Sequence, residues 1–138
     1  CVGQAIRLIT EMTEYASKRE QFGKRIGEFG QIAAMLADSQ AEMVAGRALC
    51  LDCAKQFDAG DQIPFIDIAS AKLFCSEMVS RVADRAVQVM GGLGYMEDLS
   101  DVPRLFRDVR LFRIFEGASQ VQQGNIARSM MKDNESLS

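Results

Sequence analysis

The chain has 138 residues, of which 48% are hydrophobic, and a formal net charge of -3 with a pI near 5.0. This length and composition predict one domain with a hydrophobic core, whereas the acidic balance argues against nucleic-acid binding because no basic excess is present to neutralise phosphates. The chain contains no histidine, which excludes Ser-His-Asp and Cys-His catalysis within it, and it contains no apolar run long enough to span a membrane. Its first residue is Cys1 and not Met, so we expect it to be a piece of a longer protein.

Apolar residues at three- and four-residue spacing predict four long helices, over residues 2–18, 31–57, 66–90 and 118–132. A polar tail is expected at residues 133–138. The predicted apolar stripe of the first helix consists of Val2, Ala5, Ile6, Ile9, Met12, Thr13 and Ala16. Because no alternating apolar pattern of strand length is present, the sequence predicts an all-α fold, an antiparallel four-helix bundle that takes up residues 1–138 as one domain.

The segments between these helices carry glycine and proline. Residues 19–30 contain three glycines and predict a structured loop with Phe22, Ile26 and Phe29 as apolar anchors. A turn is predicted at residues 58–64, with Gly60 as helix C-cap. A glycine-rich turn ends the third helix at residues 91–94, and a short helical or irregular segment follows Pro103 as far as residue 113.

The four cysteines fall within helical patterns and lack the spacing of a secreted disulfide framework. Cys50 and Cys53 form a C-x-x-C pair, but no second pair or histidine completes a zinc site. We therefore interpret the cysteines as small residues on helix faces and expect no metal site in this chain.

Glu116 is the candidate for chemistry that the residues themselves suggest. It lies between Phe115 and Gly117, at the predicted start of the last helix. An apolar neighbour on one side and a glycine on the other suit a carboxylate that is partly desolvated and closely approached by a ligand. Desolvation raises the pKa of a carboxyl group toward neutrality, where a general base works best.

Four motifs in a fixed order carry a resemblance to a known family. They are Arg19-Glu-Gln-Phe-Gly-Lys-Arg-Ile26, Gln88-Val-Met-Gly-Gly-Leu-Gly-Tyr95, Arg107-Asp-Val-Arg110 and Ile114-Phe-Glu-Gly-Ala-Ser-Gln120. Together they cover nearly the whole chain, which resembles the C-terminal helical-bundle domain of the acyl-CoA dehydrogenases. The resemblance implies a flavoenzyme with two further domains, an N-terminal helical domain and a central β domain, assembled as a homo-oligomer, a dimer or a tetramer of two dimers.

The resemblance also implies residue roles. Glu116 matches the catalytic base that removes the α-proton of an acyl-CoA thioester while the β-hydrogen leaves as hydride to flavin, and Gly117 next to it leaves room for the substrate. The cofactor implied is FAD. The positions that match its binding residues are Arg19, Glu20, Gln21, Phe22, Gln88, Val89, Met90, Gly91, Gly92, Gly117, Ala118, Ser119 and Gln120. The first four of these meet the cofactor across the dimer interface in the family. Ala118 stands where the family usually has threonine.

Two alternatives to acyl-CoA dehydrogenation stay open from the sequence. The chain could serve as an oligomerisation module without catalysis of its own, or belong to an acyl-CoA oxidase-like relative in which oxygen reoxidises the flavin. For a dehydrogenase, the expected electron acceptor is an electron-transferring flavoprotein. The expected location is the cytoplasm in a bacterium or the mitochondrial matrix in a eukaryote, and the isolated domain is expected to be inactive.

Overall fold

The computed structural model describes residues 1–60 and 62–135, without the side chains of residues 133–135, and it is helical over most of that range. The helices are α1 (Val2–Lys18), α2 (Gly30–Asp58), α3 (Phe65–Met90), α4 (Gly92–Tyr95), α5 (Val102–Arg110) and α6 (Ser119–Glu135). Short 3₁₀ turns lie at Ile26–Glu28 and Leu111–Arg113, and a two-stranded antiparallel ribbon pairs β1 (Glu20–Gln21) with β2 (Lys24–Arg25).

The four long helices form the predicted up-and-down bundle, which confirms the all-α fold. Glu42 and Gly46 of α2 contact residues on α3 in reverse order, at Arg85 and Met78 respectively. Ser119 at the start of α6 bonds Glu77 in the middle of α3. Helix α2 therefore runs antiparallel to α3, as the short connection between them favours.

Helix α3 lies at the centre of the bundle and contacts α1, α2, α5 and α6. Its buried residues occur on more than one side and include Met78, Val79, Val82, Ala83 and Ala86. Because α3 is surrounded in this way, its side chains can hold the neighbouring segments in place. None of the helices in the described part of the chain is long and apolar enough to cross a membrane.

The buried face of α1 differs in part from the predicted stripe. Leu8, which the stripe omitted, is completely buried, whereas Ile6 is 45% exposed and Thr13 is exposed. The stripe was therefore wrong at these positions, because both Leu8 and Ile6 fit a helical period and only the neighbouring helices select between them. Ala5, Met12 and Ala16 are buried as predicted.

The predicted loop at residues 19–30 is a tight hairpin. Phe22 and Gly23 have φ values of +53° and +81° and form its turn, a geometry that matches the twist of paired strands. Ile26 is buried and Phe29 half-buried, but Phe22 is 94% exposed. The prediction of Phe22 as an anchor was wrong, because its ring stays on the surface, where it meets Phe29 edge to face.

The other boundaries lie close to those predicted, with two differences. The glycine-rich turn after α3 contains the single helical turn of α4, and Gly91 with φ +57° separates the two helices. Helix α6 continues to Glu135, three residues beyond its predicted end at residue 132, and the last three residues of the predicted polar tail lie outside the described residues.

Candidate active site

Glu116 lies in the loop that joins the 3₁₀ turn at Leu111–Arg113 to α6, three residues before α6 and not at its start. Its φ is +52° and that of Gly117 is +82°. The left-handed region is disfavoured for a residue with a Cβ and is found preferentially at functional sites. The Glu116 side chain is exposed and Phe115 is 42% exposed. The partial desolvation that the sequence predicted is thus not supplied by this chain's own residues.

Lys72 of α3 holds both ends of this loop. Its Nζ donates to the carbonyl oxygen of Phe112 at 2.9 Å and to that of Gly117 at 2.7 Å. The sequence gave no reason to distinguish Lys72 from other charged residues of α3, because its partners are 40 and 45 residues away. The side-chain amide of Gln122 adds longer bonds, of 3.3 and 3.4 Å, to the carbonyl oxygens of Glu116 and Gly117.

Glu77, also on α3, holds the residues on either side of that loop. Its Oε1 accepts from Arg113 Nε at 2.9 Å and from Ser119 Oγ at 2.6 Å. Burial alone would raise the pKa of Glu77, but the hydrogen bonds from Ser119 and Arg113 outweigh it and lower the pKa below its ordinary value of 4.5. Glu77 is therefore ionised at neutral pH and gives a fixed negative charge between the loop and α6.

A cleft of about 690 Å³ opens beside Glu116 between α1, α2, α3 and the loop. Its lining is mainly apolar and includes Val2, Leu51, Ala71, Phe112 and Phe115, with Lys72 among the polar side chains. A carboxylate at the edge of an apolar cleft can meet a ligand whose apolar part fills the cleft. This places the sequence-predicted base next to a space of suitable character.

Three of the four arginines of α5 and the following turn have structural partners. Arg104 pairs with Asp101 and Asp108, and Arg107 pairs with Glu97. Arg113 bonds Glu77 as described above. These three arginines are therefore paired with carboxylates within the bundle.

A second site gathers two motifs that lie about 70 residues apart in the sequence. A cleft of about 410 Å³ is lined by Arg19, Gln21 and Phe22 from the hairpin and by Val89 from the end of α3. Arg19 is the C-cap residue of α1 and is exposed. An exposed guanidinium beside an exposed aromatic ring suits a ligand with a phosphate and a planar base. The residues present therefore fit part of FAD, the cofactor that the resemblance implies.

The residues of the Gln88-Gly92 motif differ in what they offer to a ligand. Gln88 is exposed, and no atom lies within 4 Å of a Cβ built on Gly91 or Gly92, so the main chain there is open to close approach. Val89 and Met90 are both only 4% exposed, which leaves little more than their main chain for contact. Gly94 is different again, since its added Cβ would lie 3.0 Å from Val87. That glycine permits close packing of α4 on α3.

The predicted cofactor residues after Glu116 also differ in exposure and in the hydrogen bonds that they make. Ser119 is 2% exposed and its hydroxyl donates to Glu77, so that hydroxyl is committed within the bundle. Gln120 is exposed at the start of α6, and Gly117 and Ala118 are half-buried. Glu20 is exposed on β1 and lies outside the set of residues that line the second cleft.

The two sites lie at separate places along α3. Lys72, in the first part of α3, bonds the loop that carries Glu116, and Val89, near the end of α3, lies beside the hairpin. At 1.5 Å per helical residue, the separation along the axis between Lys72 and Val89 is about 25 Å. The structure thus brings the predicted residues together as two groups and not as one.

Comparison with known proteins gives a consistent set of similarities. The family model for the C-terminal domain of acyl-CoA dehydrogenase matches residues 1–131. The chain is 37% identical over 131 residues to caffeyl-CoA reductase-Etf complex subunit CarC of Acetobacterium woodii, covering 95% of this chain and 34% of that protein. Among curated relatives such as this one, the chain spans about a third of the full length.

Solved structures agree. The chain superposes on butyryl-CoA dehydrogenase from Megasphaera elsdenii with a TM-score of 0.88 and 34% identity, covering 94% of this chain and 33% of that one. It also superposes on the FAD complex of PigA with a TM-score of 0.87 and 31% identity, at 94% and 33% coverage. Each superposition covers nearly all of the chain, and the residues that match the family model include Glu116.

Proposed function

Because the chain belongs to the acyl-CoA dehydrogenase family and matches the C-terminal domain of its members, we propose that it carries the catalytic base of a longer FAD-dependent enzyme. This enzyme would oxidise an acyl-CoA thioester to its 2,3-unsaturated product. The observation that carries the proposal is the placement of Glu116 in a constrained loop at the edge of a mainly apolar cleft. The acyl part of a thioester would occupy that cleft.

Glu116 would take the α-proton of the substrate. An α-proton next to a thioester carbonyl is a weak acid, so the base must be aligned with it and the oxygen that gains charge must receive hydrogen bonds. Within the described chain, the backbone N–H of Glu116 donates to no protein group, and it would serve as one such donor. FAD, when bound, would supply the acceptor for the hydride that leaves from the β-carbon.

The exposure of Glu116 in this chain has a consequence for the proposal. A general base needs to be shielded from water, and residues of this domain do not provide that shield. The remaining domains and the substrate would provide it. We accordingly expect the 138-residue chain alone to lack activity, as a domain and not as an enzyme.

FAD would be held by residues from two subunits. Near the base, FAD would contact Gly117, Ala118 and Gln120 of one subunit. The other end of the cofactor would contact Arg19, Phe22 and the open main chain at Gly91 of a second subunit. The separation of about 25 Å between the two groups along α3 supports this assignment, because one bundle presents them at separate places. Dimerisation would then complete the cofactor site.

Flavin bleaching tests the proposed activity. The full-length protein is purified with its flavin, and a series of acyl-CoA thioesters is added without oxygen. We expect bleaching in the unsubstituted protein, its loss in Glu116→Gln, and no change in Glu14→Gln, which removes an exposed carboxylate of α1. Bleaching that persists in Glu116→Gln would show that another group is the base, and absence of bleaching in the unsubstituted protein would refute the activity.

Mixing two inactive variants tests the shared cofactor site. One variant carries Glu116→Gln with Arg19 intact, and the other carries Arg19→Met with Glu116 intact. A mixed dimer then has one site with both native residues, so we expect activity to return on reassembly. No recovery would place Arg19 and Glu116 at the same subunit's site, and full activity of Arg19→Met alone would remove Arg19 from the site.

The reverse reaction is a second candidate. The relative at 37% identity is named a caffeyl-CoA reductase, and the same residues suit reduction of a 2-enoyl-CoA, with Glu116 as the proton donor. Bleaching by saturated acyl-CoA favours oxidation, and reoxidation of chemically reduced flavin by a 2-enoyl-CoA favours reduction. That relative is also named as part of a complex with Etf, which supports an electron-transferring flavoprotein as redox partner. Rapid reoxidation by oxygen instead would favour the oxidase alternative.

A further inference from the structure

We propose that Lys72 is a positioning residue for Glu116: by bonding the carbonyl oxygens of Phe112 and Gly117, it holds the loop in the conformation that aims the Glu116 carboxylate. This inference rests on the proposed function, since it assigns a role to Lys72 in the same reaction. Lys72 belongs to α3 and would act through the main chain of the loop.

One ammonium group closes the loop. The two carbonyl oxygens that Nζ contacts are five residues apart in sequence, and both lie within 2.9 Å of that nitrogen. Bringing two main-chain carbonyls to the same donor draws the segment between them into a closed turn. Glu116 lies inside that turn and is adjacent to one of the two bonded residues.

The bond to Gly117 controls the main chain next to Glu116. The direction of the Gly117 carbonyl depends on its ψ angle, and glycine alone would leave that angle free. Glu116 and Gly117 have φ values of +52° and +82°. A residue with a side chain seldom adopts this backbone conformation unless its surroundings impose it. The charged donor at 2.7 Å is the shortest contact that imposes it.

The anchor of this bond is rigid. Lys72 extends from the central helix of the bundle, and its residue is only half-exposed. It also lines the cleft beside Glu116. Five residues further along α3, Glu77 fixes Arg113 and Ser119 on either side of the loop. The two bonds from Gln122 are longer, and their donor is uncharged. Lys72 is therefore the main restraint within the loop itself.

The test measures chemistry and binding separately in the full-length protein. Single-turnover bleaching is followed for Lys72→Met and expressed per bound flavin, so that loss of folded protein or of cofactor does not lower the value. Binding is measured with an acyl-CoA analogue that cannot be oxidised, through its effect on the flavin spectrum. The control is Lys55→Met, which removes an exposed lysine from α2.

We expect Lys72→Met to slow bleaching about 100-fold, the scale of a misplacement of about 1 Å, with analogue binding changed by less than about 3-fold. Lys72→Arg keeps a charged donor that reaches two carbonyl oxygens, and should recover most of the rate. If Lys72→Met retains no flavin, Lys72→Arg takes its place in the test, and its bleaching should still be slower than that of the unsubstituted protein.

Two results overturn the inference while the proposed function stands: a bleaching rate per bound flavin in Lys72→Met equal to that of the unsubstituted protein, or equal loss of binding and rate, which indicates a purely structural role. If the unsubstituted protein does not bleach with any thioester, the proposed function itself fails and the inference falls with it.

Discussion

Replacing Gly117 by alanine changes the residue after the candidate base in two ways. Its φ of +82° becomes unfavourable, at a cost of about 1–2 kcal/mol for a residue with a Cβ. The new Cβ would also lie 2.5 Å from the Gln122 side-chain amide, which would have to move and lose its two long bonds, worth about 0.5 kcal/mol each. The smaller entropy of the unfolded alanine chain returns about 0.4–1 kcal/mol. The expected net loss is therefore about 1–2.6 kcal/mol.

The assay is the thermal unfolding midpoint of the full-length protein, together with the rate of flavin bleaching. Gly124→Ala is the matched control, because Gly124 lies within α6 and the nearest atom to its added Cβ is 3.9 Å away. That substitution should stabilise the helix by up to about 1 kcal/mol. We expect Gly117→Ala to lower both the midpoint and the bleaching rate, while Gly124→Ala lowers neither. Equal midpoints and rates for the two variants would refute the conformational argument for Gly117.

Three further predictions concern the bundle. Leu8→Ala should destabilise the protein by about 2–5 kcal/mol, because Leu8 is completely buried, while Ile6→Ala at a 45% exposed position should cost less than about 1 kcal/mol; denaturant titration that gives equal losses would contradict the observed face of α1. Burial alone would raise the pKa of Glu42, but hydrogen bonds from Arg85 and Arg81 lower it below its ordinary value of 4.5. The folded state therefore binds fewer protons than the unfolded state at moderately acidic pH. The contribution of Glu42 to stability is then complete above about pH 4.5 and is lost as the pH falls through the lowered value. Glu42→Gln should reduce stability at pH 7 by on the order of 1 kcal/mol and flatten the acid dependence of the unfolding free energy, and an unchanged dependence would count against this ion pair. Burial, with a contact to the Cys50 thiol 3.6 Å away, raises the pKa of Cys75 to about 12, so iodoacetamide at pH 8 should label Cys50 faster than Cys75 by mass spectrometry, and preferential labelling of Cys75 would contradict its burial.

The sequence by itself determined the helices and the candidate base. Helical periodicity fixed the long elements to within a few residues, since hydrogen bonding and side-chain spacing in a helix are local. Glu116 was identifiable because its neighbours Phe115 and Gly117 are adjacent in the chain and because the four motifs occur in order. For the same reason the hairpin, which depends on the Phe22-Gly23 turn, was located as a structured loop, although its strands were not predicted.

Only the tertiary structure decided which side chains serve the site. Lys72 and Glu77 reach residues 36 to 45 positions away, and no local pattern distinguishes a lysine that bonds a distant carbonyl from one that faces solvent. The choice of Leu8 over Ile6 for the core likewise depends on where α2 and α3 lie. The separation of the predicted cofactor residues into two groups along α3 has the same origin, because no local pattern shows that the segment after α3 runs back along that helix to Lys72 and Glu77.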